Sequence, residues 1–315
     1  MEKKIIIVCI ALLNCIYLRA EEPQKIDNSF NLAVTKILEN ELTEINGISG
    51  QAIVMDTKTG KISSEIRLVR KEGQYICDNR YDIKEPSELI RPISLFAALQ
   101  TGNIKMTDSV DTGCGMMPIG NNSIKDHNWE RGGYGKISYE EGLMYDSNIA
   151  VIKAVEEAYG KNFSDYYTTM NKWGFTKNTI KTKSEYELAL SCIGQKYAVN
   201  SMQLLTFYND ITNNNGSISG QTAIKSLKTA MERNAIEGLG KSASTKRVKI
   251  AGVQGTEAIP GSSKNTEYIV EFCGYFPIDN PQYTVIVSMK KIGLPASGGG
   301  MAGNVFKQIA EIVYK

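Results

Sequence analysis

Strand-like patterns occur at both ends of this chain, and the long stretch between them is mostly helical. Residues 49–69 read as two strands around the turn 58–61, and residues 247–292 contain three more strand-like runs. Helical spacing of apolar residues is found at 28–45, 86–99, 139–159, 163–172, 199–213, 221–238 and 303–314. Residues 103–138, rich in Gly, Asn, Asp and Met, read as irregular connections.

This order of segments favours an α/β layered architecture over alternating βαβ units, because the strands must come together from the two ends of the chain. We expect one sheet of about five antiparallel strands, built from residues 50–70 and 247–292. The first and last helices should cover it, and the helical middle should form an inserted lobe. N-terminal and C-terminal strands in separate sheets would contradict this interpretation.

The first twenty residues have the pattern of an export signal. Lys3 and Lys4 precede an apolar stretch that is short for a membrane span, and Arg19-Ala20 comes just before an acidic segment. We expect cleavage after Ala20 and a single domain over residues 21–315. An uncleaved anchor and lipidation at Cys15 remain open, and the chain would contact a membrane only in those cases.

Charge and cysteine content argue against several classes of site. The chain has 36 basic and 34 acidic residues, and residues 1–20 hold three of the former and one of the latter, so the remainder is formally neutral. No basic surface for nucleic acid is expected. The four later cysteines form neither a CxxC pair nor a Cys/His cluster, so no metal site is expected; they are Cys77, Cys114, Cys192 and Cys273. We favour buried thiols over a disulfide framework, although their oxidation state stays open.

Six segments, in order, resemble the transpeptidase domain of penicillin-binding proteins. They are SGQAIVMDTKTGKI, EPSELIRPISLFAALQTGNI, GKISYEEGLMYDSNIAVIKA, SCIGQKYAVNSMQLLTFYNDITNNNG, KIAGVQGTEAI and EFCGYFPIDNPQYTVIVSM. The likeness runs from about residue 28 to the end. It implies the penicillin-binding-protein/β-lactamase-like fold and places residues 21–315 in one such domain.

The family's chemistry uses the motifs Ser-x-x-Lys, Ser-x-Asn and Lys-Thr-Gly around one cleft. The resemblance places eight residues at these motifs: Glu88, Arg91, Asp146, Asn148, Val253, Gln254, Gly255 and Thr256. Glu88 replaces the nucleophilic serine and Arg91 its lysine. Asp146 replaces the first serine of Ser-x-Asn, and Val253 and Gln254 replace the Lys and Thr of Lys-Thr-Gly. The family also implies that the backbone N–H of Thr256 is an oxyanion-hole donor.

These replacements remove the reacting groups. A carboxylate attacking an amide would give a mixed anhydride, and Arg91 cannot serve as a base because it keeps its proton. Val253 removes a cation that would meet an anionic substrate end. The resemblance therefore implies a catalytically inactive, exported protein of the bacterial periplasm or cell envelope. Its role would be binding or scaffolding in cell-wall biology, with peptidoglycan peptides or another envelope protein as partner.

Two active alternatives stay open. One is a D,D-transpeptidase, carboxypeptidase or β-lactam-reactive enzyme that uses Ser87 as a displaced nucleophile, although we favour Ser87 as the residue that opens the following helix. The other is a hydrolase built on Glu88 and Asp146. We favour a structural ion cluster, in which Arg91 pairs with Glu88 or Asp146 beside the strand at 253–256.

Neither a cofactor nor a histidine-based site is indicated. The single histidine, His127, is expected in a loop or at the surface, since no partners for a triad or a metal can be identified. The glycine-rich run RGGYG at 131–135 lacks the spacing of a phosphate-binding loop, so it reads as a connection.

Overall fold

The helices and strands are defined in a computed structural model that describes residues 27–78, 80, 84–85, 87–160, 164–175, 184–214, 216, 218–259 and 266–314. The helices are α1 Asn28–Glu44, α2 Ile90–Gln100, α3 Tyr139–Met144, α4 Asn148–Tyr159, α5 Ser164–Lys172, α6 Glu185–Cys192, α7 Ser201–Asn213, α8 Gln221–Glu237 and α9 Gly303–Val313. The strands are β1 Gly47–Asp56, β2 Ile62–Lys71, β3 Gln74–Cys77, β4 Lys84–Glu85, β5 Ser109–Asp111, β6 Met116–Ile119, β7 Asn122–Lys125, β8 Lys136–Ser138, β9 Val199–Asn200, β10 Ala251–Ile259, β11 Glu267–Phe276 and β12 Tyr283–Ile292. The expected export signal, residues 1–20, lies outside the described residues.

One antiparallel sheet joins the two ends of the chain, in the order β10-β11-β12-β1-β2-β3. The first strand pairs with the last, with Gln51 opposite Ser288 and Ile53 opposite Ile286. The prediction of a shared sheet is therefore confirmed. Strand β10 lies at one edge, which leaves one side of it available to the helical lobe.

The sheet has six strands rather than the five expected. The extra strand β3 forms because Glu72 and Gly73 both have positive φ, 50° and 81°, and reverse the chain so that Lys71 pairs with Gln74. Two consecutive positive φ values are typical of the tight hairpin turn that matches strand twist. The glycine after Glu72 is the sequence signal for this turn.

The sheet separates two apolar clusters, because successive side chains of a strand point to opposite faces. On one face, Ala52 and Val54 pack in a cluster with residues of α1 and α9. On the other, Ile53 and Met55 pack in a cluster with the helical middle. The expected cover by the first and last helices and the expected helical lobe are both confirmed.

The helical lobe differs from the sequence prediction in three places. The predicted helix 139–159 is two helices, α3 and α4, because Asp146 has φ of 57° and breaks the helical path. Helix α6 was not predicted. Residues 103–138, expected to be irregular, contain the short hairpin β6–β7 and the pair β5–β8. Within the described part of the chain, no helix is long and apolar enough to cross a membrane.

Candidate functional site

A cleft of about 290 Å³ lies where the edge strand β10 meets the start of α2 and the break between α3 and α4. It is lined by Glu88, Arg91, His127, Asp146, Asn148, Leu239, Gln254, Thr256 and Ala296–Gly299. The wall formed by Ala296–Gly299 is held against strand β10 by a hydrogen bond of 2.8 Å, which the Gly298 N–H donates to Thr256 Oγ1. Six of the eight motif positions that the resemblance indicated therefore line this one cleft: Glu88, Arg91, Asp146, Asn148, Gln254 and Thr256.

The floor of the cleft is an ion cluster made of Glu88, Arg91 and Asp146. Arg91 Nη2 lies 2.8 Å from Glu88 Oε2 and 3.2 Å from Asp146 Oδ1. Its Nη1 donates to the Asp146 carbonyl at 3.0 Å and to Asn148 Oδ1 at 3.1 Å. Arg91 is only 5% exposed, so its charge depends on these acceptors. Arg91 was predicted to pair with Glu88 or Asp146, and it pairs with both.

Glu88 also contacts the strand that would carry Lys-Thr-Gly. The backbone N–H of Thr256 donates to Glu88 Oε2 at 2.7 Å. A Cβ at Gly255 would meet the Glu88 Cβ at 3.2 Å, so the glycine lets the strand approach this closely. The backbone donor implied by the resemblance is therefore already engaged, and its partner is an internal carboxylate.

Asp146 is tied to β10 by amide side chains. Gln254 Nε2 donates to Asp146 Oδ1 at 2.9 Å, and Asn234 Nδ2 donates to Gln254 Oε1 at 2.8 Å. Burial raises the pKa of Asp146 to about 7, while the Arg91 guanidinium opposes that rise. Asn234, buried on α8, was missed by sequence reasoning because a helical asparagine carries no distinctive local signal.

Ser147 and Asp126 form a buried cap at the start of α4. Ser147 Oγ donates to Asp126 Oδ2 at 2.8 Å, and Asp126 Oδ1 accepts from the Ile149 N–H at 3.0 Å. Ser147 Oγ also accepts from the Ala150 N–H at 3.1 Å. The serine that survives in the Ser-x-Asn region is thus engaged in helix capping, and it does not line the cleft.

This cap gives a stability prediction. Asp126→Ala should lower the free energy of unfolding by about 2 kcal/mol, because it leaves the Ser147 hydroxyl and the Ile149 N–H buried without an acceptor. Urea denaturation would measure the loss. Asp126→Asn keeps an acceptor oxygen and should lose less than half as much; equal losses for the two variants would contradict the capping role.

Ser87 is buried beneath the cleft. It is 2% exposed, does not line the cleft, and its Oγ accepts from the Leu89 N–H at 3.2 Å in the turn that precedes α2. That contact agrees with the interpretation that Ser87 opens the helix. The hydroxyl also donates to Glu271, which accepts from Ser288 Oγ at 2.8 Å. Burial raises the pKa of Glu271 to about 7.

A further carboxyl group, Glu257 on β10, stands behind the cluster. It is buried and accepts from Gln195 Nε2 at 3.2 Å, while its Oε2 has no hydrogen-bond partner among the described residues. Burial raises its pKa to about 8, and the charge of Glu88 adds to that effect. Sequence reasoning missed Glu257 and Glu271, because the alternation of side chains along a strand does not show which face of the strand meets a polar interior.

Val253 does not line the cleft. Its side chain is buried in the apolar cluster under the helical lobe, together with Cys273 and Ile286. The position that the resemblance aligns with the lysine of Lys-Thr-Gly therefore has an apolar, buried side chain. An anionic ligand would find no charge at this position, in keeping with the sequence prediction.

His127 lies in the loop after β7, exposed as predicted, but it also forms part of the cleft wall. Its Nε2 is 3.2 Å from the Tyr134 hydroxyl, which also lies 3.0 Å from the Tyr145 carbonyl oxygen. Partial desolvation, followed by the charges of Arg131 and Arg91, lowers the pKa of His127. The sequence placed His127 in a loop but gave no signal that this loop reaches the cleft.

No disulfide joins the four cysteines after the expected signal, all of which lie in the described part of the chain. Cys192 and Cys273 are buried as expected, but Cys77 and Cys114 are exposed. The exposure follows from position, since Cys77 ends the edge strand β3 and Cys114 lies in the turn between β5 and β6. No group of three or more His, Cys, Asp or Glu side chains suited to a metal ion occurs in the described part of the chain.

Comparison with known proteins agrees with this arrangement. Residues 50–311 match the family model of the penicillin-binding protein transpeptidase domain. A curated relative, a peptidoglycan D,D-transpeptidase FtsI homolog of Mesostigma viride, is 22% identical over 341 residues, covering 86% of this chain and 57% of that protein. The chain thus spans little more than half the length of this relative.

Solved structures show the same fold. The transpeptidase domain of penicillin-binding protein 3 from Burkholderia pseudomallei has a TM-score of 0.74 at 20% identity, covering 92% of this chain and 94% of that one. The transpeptidase domain of FtsI4 D,D-transpeptidase from Legionella pneumophila has a TM-score of 0.71 at 20% identity, covering 93% and 99%. With the family model matching most of its length, the chain belongs to the penicillin-binding protein transpeptidase family.

Proposed function

We propose that this protein is a non-acylating member of its family, a pseudoenzyme of the bacterial cell envelope that binds a cell-wall peptide or another envelope protein. One observation carries the proposal: a carboxylate, Glu88, stands at the nucleophile position and is paired with Arg91 and hydrogen-bonded to the Thr256 N–H. Acyl transfer in this family needs a serine and a proton acceptor there.

The neighbours of Glu88 support the same conclusion. Arg91 cannot take a proton, and its guanidinium is engaged by two carboxylates, a carbonyl and an amide oxygen. Ser147 is occupied as a helix cap. The cleft offers about 290 Å³ of space, which suits the binding of part of a small ligand or peptide.

Ser87 as a displaced nucleophile is the second candidate, because its hydroxyl contacts a carboxylate, Glu271, that could act as a base. Both side chains are buried, however, and neither lines the cleft. A hydrolase built on Glu88 and Asp146 is less favoured, since both carboxylates are engaged by one guanidinium.

The setting in the cell envelope rests on the family and on the N-terminal sequence. The Mesostigma viride relative is described as acting on peptidoglycan, and residues 1–20 have the pattern of an export signal. These two observations support our proposal of a protein of the periplasm or cell wall, with peptidoglycan peptides or an envelope protein as partner.

The test is intact-mass spectrometry after long incubation with penicillin. We expect no mass increase, because no serine faces the cleft at the nucleophile position. A mass increase of one penicillin that disappears in Ser87→Ala would overturn the proposal and establish the displaced nucleophile. An adduct that survives Ser87→Ala would also overturn it and point to another group.

A further inference from the structure

The Glu88 carboxylate sits in a pocket built for an anion. Its Oε2 accepts from Arg91 Nη2 at 2.8 Å and from the Thr256 N–H at 2.7 Å. Arg91 is fixed from its other side by Asn148 and by the Asp146 carbonyl, so the donors are held in place independently of Glu88. A guanidinium and a backbone N–H that converge on one oxygen are the donors that proteins use for carboxylates.

The length of the Glu88 side chain matches that of an acylated serine. From Cβ, Glu88 reaches its carboxylate oxygen through Cγ and Cδ. A serine acylated at the same position reaches its ester carbonyl oxygen through Oγ and the acyl carbon, which is the same number of bonds. In acyl transfer a backbone N–H stabilises that oxygen, and here the Thr256 N–H contacts Glu88 Oε2.

We propose that Glu88 is a built-in carboxylate ligand that holds the cleft in the state of an acylated family member, with the Thr256 N–H and Arg91 occupied by its carboxylate. The inference rests on the proposed function and deepens it, because it names the group that fills the place of an acyl group in the cleft. A partner would therefore always meet the cleft in the arrangement of the acylated state, which a reacting enzyme adopts only transiently.

Truncation of Glu88 separates a ligand-binding pocket from an ordinary ion pair. Glu88→Ala keeps Cβ and removes a CH₂–COO⁻ unit, which acetate supplies. If the pocket recognises a carboxylate, acetate should bind the variant and restore its stability. If Glu88 and Arg91 formed only an ion pair without a shaped pocket, acetate would stabilise Glu88→Ala no more than any other salt does.

The experiment is thermal unfolding of wild type and Glu88→Ala over an acetate series at constant ionic strength, with chloride as the balancing anion. We expect the Tm of Glu88→Ala to rise with the logarithm of the acetate concentration above its Kd, by about 3 °C when acetate reaches tenfold its Kd. Acetamide, neutral and of similar shape, should have no effect. Wild type should not respond, because its pocket is filled. A crystal structure with acetate should show it on the Thr256 N–H and Arg91.

The matched control is Glu237→Ala, which releases the half-exposed Arg233 from an ion pair at the surface of α8. This variant should not respond to acetate, because a solvated guanidinium alone does not make a pocket. No acetate response in Glu88→Ala, or an equal response in wild type or Glu237→Ala, would overturn the inference. If Glu88→Ala does not fold without acetate, refolding in acetate supports the pocket and failure to refold there rejects it.

This test is independent of the penicillin experiment. A penicillin adduct on the wild type would remove the proposed function, whereas the acetate series reports only on the pocket at Arg91 and Thr256.

Discussion

Arg91→Ala should lower the free energy of unfolding by about 3–5 kcal/mol, a larger loss than that from any single surface ion pair. The variant leaves Glu88 and Asp146 facing each other in a mostly buried site without their shared cation. It also removes the donors to the Asp146 carbonyl and to Asn148 Oδ1. Urea denaturation at neutral pH would measure the loss.

Arg233→Ala is the matched comparison. Arg233 also bridges two carboxylates, Glu140 and Glu237, but its side chain is 41% exposed. Its loss should cost less than about 1 kcal/mol, because water replaces the removed charge. If the two arginine variants lose similar stability, the ion cluster at the cleft is not a buried network.

The free energy of unfolding should fall as the pH rises from about 5, with the contribution of Glu271 lost by about pH 8 and that of Glu257 lost at higher pH. Burial raises the pKa of Glu271 from 4.5 to about 7, so the folded protein keeps a proton there that the unfolded chain has already lost. The folded state therefore loses stability as the pH rises through this interval. At 1.36 kcal/mol per pKa unit, Glu271 alone accounts for about 3 kcal/mol.

Glu271→Gln should remove this part of the pH dependence while keeping groups that hydrogen-bond with Ser87 and Ser288. The difference in stability between pH 5 and pH 8 should shrink by up to about 3 kcal/mol. Glu257→Gln should act in the same direction and over a window that extends to higher pH, since the pKa of Glu257 is about 8. Urea denaturation across this pH range provides the check, and an unchanged pH profile in Glu271→Gln would contradict the prediction.

The fold was predictable because apolar spacing and segment order both depend on burial in a layered core. Strands β1 and β12 pair as the order of segments required. The features of the fold that the sequence did not predict arise from local backbone conformation. Strand β3 depends on two positive φ values at Glu72 and Gly73, and the break between α3 and α4 depends on one at Asp146. Apolar periodicity carries no information on such backbone conformations.

The site was predictable only where a motif fixes the spacing. Glu88 and Arg91 are three residues apart, so their pairing follows from the local chain, and the family pattern brought Asp146 to the same cleft. The contacts of Asp126, Glu257 and Glu271 join segments far apart in the chain, and no short spacing encodes them. Side-chain hydrogen bonds across the fold are set by tertiary packing.

The ion cluster also restricts how this sequence could change toward the family's Ser-x-x-Lys pattern at the positions that the resemblance indicates. Replacing Glu88 with serine alone would leave the Thr256 N–H without its acceptor and Arg91 with one carboxylate fewer. Replacing Arg91 alone with lysine would give up the planar fork that contacts Asp146 and Asn148 at once. Each first step costs stability before any reactivity is gained. The cluster therefore opposes a stepwise change to a serine and a lysine, because its residues would have to change together to keep their contacts.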